Sequence, residues 1–213
     1  MTRLLRLLAV GVLVLGGSAL LTIPTASALR VDPVGLEASA AAVGYAKPLV
    51  LTATLTPAQP DAQVDFYAKA VGSAPRLLGS AAAGGEGRAK LTLPVTRTAT
   101  YYAVLVVAGV ATTQSPSVDV VVAPALKLKV VRVIGPVTHF TVTAKPVADG
   151  MPVALQHLVG KRWKTVEKGL TSDGEFTWTV GVPPDTTSKW RVFVRGSAKY
   201  GESTSKAVRV VGP

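Results

Sequence analysis

The chain of 213 residues contains no cysteine. Disulfides, thiolate metal sites and cysteine nucleophiles are therefore excluded, and the fold must be held by non-covalent packing. Asparagine is absent too, which removes N-linked glycosylation and asparagine amides as oxyanion donors. The only histidines are His139 and His157, and neither has a carboxylate as its sequence neighbour. Acidic residues are scarce, 12 against 23 Lys/Arg. After residue 28 there is no Gly-x-Ser-x-Gly elbow, phosphate loop or calcium loop. These absences leave no catalytic constellation, no metal site and no cofactor motif, so the expected function is non-enzymatic.

The first residues carry an export pattern. Arg3 and Arg6 precede the uncharged apolar run Leu7 to Leu21, and Thr25-Ala26-Ser27-Ala28 supplies small residues at the two key cleavage positions. This reads as a secretory signal peptide over residues 1–28, cleaved after Ala28. The run is short for a membrane span, and Gly16, Gly17 and Pro24 interrupt or end it. No second long apolar segment follows, so no transmembrane anchor is expected after cleavage. Leu93-Pro94-Val95-Thr96 resembles a sortase signal, but Arg97 stands where glycine is needed; the end of a strand is the better reading.

What remains is written twice. Thr54-Leu55-Thr56-Pro57, Val64-Asp65-Phe66, Tyr102-Ala103-Val104 and Ser115-x-x-Val118-x-Val120 are followed in the same order by Thr143-Ala144-Lys145-Pro146, Val153-Ala154-Leu155, Trp190-Arg191-Val192 and Ser205-x-x-Val208-x-Val210, displaced by 88 to 90 residues. So long a period predicts two similar domains in tandem, over 29–123 and 124–213. Strands are expected near 35–40, 48–55, 62–70, 75–80, 87–94, 99–107 and 117–122. Their counterparts fall near 125–133, 137–144, 151–158, 162–167, 171–180, 187–195 and 205–211. Seven short strands per unit, without a helical period, predict an all-β fold of two Greek-key sandwiches. Pro124 cannot continue a sheet ladder and marks the boundary, and the near-absence of a linker predicts a stiff pair.

Alternation assigns faces. Leu49, Leu51, Ala53, Leu55, Val64, Phe66, Tyr102, Val104, Val106, Val118 and Val120 are expected inside the first sandwich. Phe140, Val142, Val153, Leu155, Phe176, Trp178, Val180, Trp190, Val192, Val194, Val208 and Val210 are expected inside the second. Each, fully buried, contributes about 1.5–3 kcal/mol. Trp163 and Trp178 read as core anchors; a sugar-stacking platform would need one of them exposed. Asp173-Gly174 is a turn pair suited to positive φ.

The second half resembles the bacterial immunoglobulin-like repeats of secreted actinobacterial proteins. The resemblance rests on Pro152-Val153-Ala154-Leu155-Gln156, Gly160-Lys161-Arg162-Trp163-Lys164-Thr165-Val166, Thr171-Ser172-Asp173-Gly174-Glu175-Phe176, Trp190-Arg191-Val192 and Gly196-Ser197-Ala198-Lys199-Tyr200. The first half lacks the Gly-x-x-Trp segment and the Asp-Gly turn, having Gly84-Gly85-Glu86-Gly87 instead. The resemblance implies tandem immunoglobulin-like sandwiches used for spacing, adhesion or envelope association, and it implies no catalytic residue.

Two outward faces are candidate sites. Residues 29–123 hold 7 Lys/Arg against 6 Asp/Glu, whereas 124–213 hold 14 against 6. In the basic half, Lys189, Arg191, Phe193 and Arg195 alternate with buried positions and share a face with Gln156, Leu158 and Arg209. That face suits an anionic or sugar polymer of the cell envelope through long-range steering; outside a cell, nucleic acid is not the expected partner. A merely solvated face is the competing reading. In the first half Tyr67, Tyr101, Leu105 and Val107 are expected to form an apolar interaction face, covered by another envelope protein, a second copy or the neighbouring repeat. His139 is expected to point outward and His157 to lie in the opposite sheet. The sequence thus reads as a secreted or envelope-associated structural or adhesive protein, with polymer binding through the basic face as the alternative. N-terminal sequencing of the exported protein is expected to start at Leu29; a start many residues away would overturn the leader assignment.

Overall fold

The structure, a computed structural model, describes residues 34–134, 137–182 and 185–212. The leader expected at 1–28 lies outside the described residues. Runs of alternating apolar side chains, punctuated by Gly, Pro and Asp, give strands and turns throughout, as the period-2 pattern dictates.

In the first half these are β1 (Val34–Ala38), β2 (Ala42–Gly44), β3 (Pro48–Leu55), β4 (Gln63–Ala70), β5 (Arg76–Ala82), β6 (Arg88–Pro94), β7 (Ala99–Val107), β8 (Val110–Gln114) and β9 (Val118–Ala123). One sheet has the order β1-β3-β6 and the other β2-β9-β7-β4-β5, with β8 also paired to β7. The chain passes from one sheet to the other between β3 and β4, returns for β6, and crosses again to β7. All pairings are antiparallel except β2 on β9, which is parallel. This is a Greek-key, immunoglobulin-like sandwich.

The second half repeats the plan with β10 (Ala125–Ile134), β11 (Val137–Lys145), β12 (Pro152–Val159), β13 (Arg162–Leu170), β14 (Glu175–Gly181), β15 (Thr187–Val194), β16 (Ser203–Thr204) and β17 (Val208–Val211). Its sheets run β10-β11-β14 and β13-β12-β15-β16, with β17 also on β15. The three strands not expected from sequence, β2, β8 and β16, are short or poor in apolar residues.

Two separate apolar clusters result. The first gathers Val34, Leu49, Leu51, Ala53, Val64, Phe66, Tyr101, Ala103, Leu105, Val120 and Val122. The second gathers Phe140, Val142, Val153, Leu155, Trp178, Trp190, Val192, Val194 and Val210, with Phe176 and Val208 packed at its margin. In the second core one ring pair ties sheet to sheet: Phe140 on β11 and Trp190 on β15 lie 5.0 Å apart and tilted. Phe176 meets Trp178 edge-on at 4.9 Å.

One serine in each half locks the strand that crosses the core. Ser115 Oγ accepts the Ala103 N–H at 2.9 Å and donates to the Pro116 carbonyl at 2.9 Å. Ser205 Oγ accepts the Val192 N–H at 2.9 Å and donates to the Lys206 carbonyl at 3.0 Å. Ala103 therefore corresponds to Val192, a displacement of 89 residues rather than the 88 read from sequence. Strand side chains alternate, so that single residue reverses every face of β7. Tyr101 and Leu105, expected on an outer apolar face, are core residues at 3% and 4% exposure. Tyr102, Val104 and Val106, expected inside, are half-buried on the opposite face. Val107 is 48% exposed at the strand's end.

The two turns that looked unlike are built alike. Gly87, at φ +70°, gives its carbonyl to the Leu55 N–H at 2.9 Å; Gly174, at φ +74°, gives its own to the Ala144 N–H at 2.8 Å. A Cβ on Gly87 would also stand 2.7 Å from the Ala58 Cα, so glycine is required on two counts.

The reversed face has a direct check by chemical denaturation. Leu105→Ala is expected to cost about 2–5 kcal/mol through lost burial and a cavity, whereas Val107→Ala stays within about 0.5 kcal/mol. Equal effects would contradict the assignment of Leu105 to the core.

Candidate functional site

The outer face of the β13-β12-β15-β17 sheet is where the basic candidates assemble. Ser188, Trp190, Val192 and Val194 are buried, so the intervening Lys189, Arg191 and Phe193 turn outward. Arg195 follows just past the strand and is exposed. Lys189 stands directly opposite Arg209 on β17, and Phe193 opposite Ala154. The structure thus brings Lys189, Arg191, Phe193 and Arg209 onto one face, with Arg195 at its edge.

Arg191 is the organised member. Its Nε donates to Gln156 Oε1 at 2.8 Å, and its guanidinium carbon lies 4.4 Å from the centroid of the Trp163 ring. Partial burial lowers the Arg191 pKa from its ordinary value, while the nearby Glu202 carboxylate opposes that shift. An arginine stays charged at neutral pH regardless. The result is a cation held over an indole ring.

Trp163 is consequently not the core anchor expected of it. A bulge in the β12–β13 pairing, between Leu155 and Gln156, sets Gln156 opposite Thr165 and Leu158 opposite Trp163. Gln156 faces out, so Trp163 does as well, half-exposed beneath Arg191. The first sandwich has a bulge at the corresponding place, between Phe66 and Tyr67. Bulges re-aim the side chains that follow them. Trp178, in contrast, is a core residue at 2% exposure.

In the first sandwich the outer face of β4 and β7 remains apolar, but with different residues from those expected. Tyr67 stacks on Tyr102 at 5.2 Å between centroids and 6° between planes. Tyr101 lies on the other side of the sheet, where burial raises its phenol above the usual value of 10.0. Of the expected apolar set, only Tyr67 belongs to this face proper.

Beside Tyr102 runs a groove of about 740 Å³ that sequence reasoning did not find. Its floor is the outer surface of β7 and β9, including Thr100, Tyr102, Asp119 and Val121; Lys69, Gln114 and Ser197 also border it. Asp119 accepts the Thr100 hydroxyl at 2.6 Å. Ser197 comes from the β15–β16 loop, which reaches back to the first sandwich's last strand. There the Gly201 N–H donates to the Val122 carbonyl at 2.9 Å, and Ser203 Oγ donates to the Pro124 carbonyl at 2.6 Å. The groove unites residues more than 120 positions apart, which alternation within one strand could not reveal.

The histidines stay apart. His139 on β11 has Nδ1 3.0 Å from Thr179 Oγ1, and His157 on β12, in the other sheet, stacks on Trp190 at 4.6 Å. Among the described residues, no group of three or more His, Asp or Glu is arranged to hold a metal ion. Nor is any described helix long and apolar enough to cross a membrane.

The cap on Trp163 is testable by fluorescence. Arg191→Ala is expected to shift emission to the red by uncovering Trp163, with at most about 1 kcal/mol lost in stability. The shift should vanish when Trp163→Phe is already present. A shift that persists there would contradict the contact.

No family model matches the chain, and no curated protein matches it. Among solved structures it is similar to a human OSCAR ligand-binding domain, at 17% identity and a TM-score of 0.34, over 84% of this chain and 99% of that one. It is also similar to a tetra-tandem repeat in the extending region of a large adhesion protein, at 18% identity and a TM-score of 0.40. That match covers 84% of this chain and 49% of the other, so this chain spans about half of that structure.

Proposed function

We propose that the chain is an exported, non-catalytic protein of the cell envelope, structural or adhesive in role, related to the immunoglobulin-like repeats of secreted actinobacterial proteins. Supporting this are the two successive sandwiches, whose strands end at Ala123 and resume at Ala125, and the leader pattern at 1–28. Two apolar cores hold the sandwiches, and their outer sheet faces are open. Open surfaces of that kind suit extended partners.

A second reading is favoured by one observation: Lys189 sits directly opposite Arg209 across β15 and β17. Like charges facing each other across a strand pair are destabilising. A polyanion laid on this face would relieve that repulsion while also meeting Arg191 and Arg195. We therefore assign anionic envelope polymers to the outer face of the second sandwich as the adhesive partner.

Cosedimentation of the mature chain with purified cell walls tests both readings. Bound protein should fall steeply as salt rises from about 0.1 M, with a screening length near 10 Å, to about 1 M, where it is near 3 Å. Arg191→Glu combined with Arg195→Glu should abolish binding without unfolding the chain. Binding that ignores both salt and these substitutions would return the basic face to ordinary solvation.

A further inference from the structure

The groove on the first sandwich has its own chemistry, separate from the basic face. Its volume, about 740 Å³, falls among those of ligand clefts, roughly 300–1,000 Å³. Lys69, Thr100, Tyr102, Gln114, Asp119 and Ser197 supply its main chemistry; Thr98, Ser117 and small or apolar residues such as Val71, Pro75 and Val121 complete the lining. Those six offer an ammonium, three hydroxyls (one of them the Tyr102 phenol), an amide, a carboxylate and an aromatic ring.

The hydrogen bonds already made leave specific capacity for a ligand. Asp119 takes the Thr100 proton on Oδ1, leaving its second oxygen as an acceptor and the Thr100 lone pairs unused. Ser197 Oγ accepts the N–H groups of Lys199 and Tyr200 at 3.2 and 3.4 Å, so its own proton is available to donate. Tyr67 stacks on Tyr102 and fixes that ring on the groove's floor. Two tyrosines thus hold an aromatic surface in place at little further entropic cost.

Each ligand class meets a different fit. A polyanion would have to approach the Asp119 carboxylate, which cancels the Lys69 charge. A cation would find one carboxylate where metals need several oxygens. A purely apolar ligand would strand the acid, the amide and the hydroxyls without partners. A neutral polyhydroxylated ring suits all six, because its hydroxyls both donate and accept while its C–H face lies on an aromatic ring.

We propose that the groove beside Tyr102 is a binding site for a neutral saccharide chain. It touches residues of both sandwiches, through Asp119 on β9 and Ser197 on the β15–β16 loop. Bound sugar would therefore also bridge the two near the Gly201–Val122 hydrogen bond that already joins them.

The test is an array of neutral tetra- to hexasaccharides of glucose, mannose, galactose and arabinose, with hyaluronate and polygalacturonate as charged controls. The mature chain is expected to bind a neutral member, with an affinity unchanged by salt. Tyr102→Ala should weaken it about tenfold or more. Asp119→Ala, which alters an exposed residue and leaves the cores intact, should do likewise if Tyr102→Ala does not fold. Arg191→Glu with Arg195→Glu should leave it unchanged, which separates this site from the basic face. Absence of any neutral binding, binding only to the charged controls, or affinity that survives Asp119→Ala would each overturn the proposal.

Discussion

No covalent bridge joins the sheets of either sandwich, so each depends on one apolar layer between two inner faces. In the first half the layer is laid down by β3, β4 and β7; in the second by β11, β12 and β15. Because side chains alternate, the same strands must show the solvent whatever the core does not take. The serine after the core-crossing strand fixes which residues those are, by holding the Ala103 or Val192 amide in one register. Outward chemistry is thus a consequence of inward packing.

That dependence separates what could be read from the sequence from what could not. Strand positions followed from local alternation and turn residues, and most came within one or two residues. The inward faces of β3, β4, β11, β12 and β15 followed as well, since each alternates large apolar with polar residues. β7 did not, because Tyr101-Tyr102-Ala103-Val104-Leu105-Val106-Val107 is apolar on both sides and contains no internal mark of parity. Long-range contacts supply it: the bond from Ser115 to the Ala103 amide, and the pairing that sets Leu105 opposite Val64 and Ala103 opposite Phe66. The orientation of Trp163 was hidden for a different reason: a bulge is a property of two strands together, and one strand's sequence does not announce it. The groove lay further out of reach, since its walls come from distant segments.

The two halves share an inner plan and differ outside. Phe66 and Leu155 fill corresponding core places, as do Ala103 and Val192, both pairs 89 residues apart. Outside, the first sandwich presents a tyrosine pair and a nearly neutral groove, the second a row of cations with an arginine laid on tryptophan. A fold of this kind tolerates such divergence because outward side chains contribute little to the core. The chain therefore presents two chemically dissimilar outer surfaces on one repeated inner plan.

Hydrogen exchange of the native chain, read residue by residue, tests the shared-core account most directly. The slowest amides are expected in pairs 89 residues apart, with Phe66 and Leu155, and Ala103 and Val192, exchanging only through opening of their own sandwich. Fast exchange at Ala103 beside strong protection at Val104, or strong protection confined to one half of the chain, would contradict it.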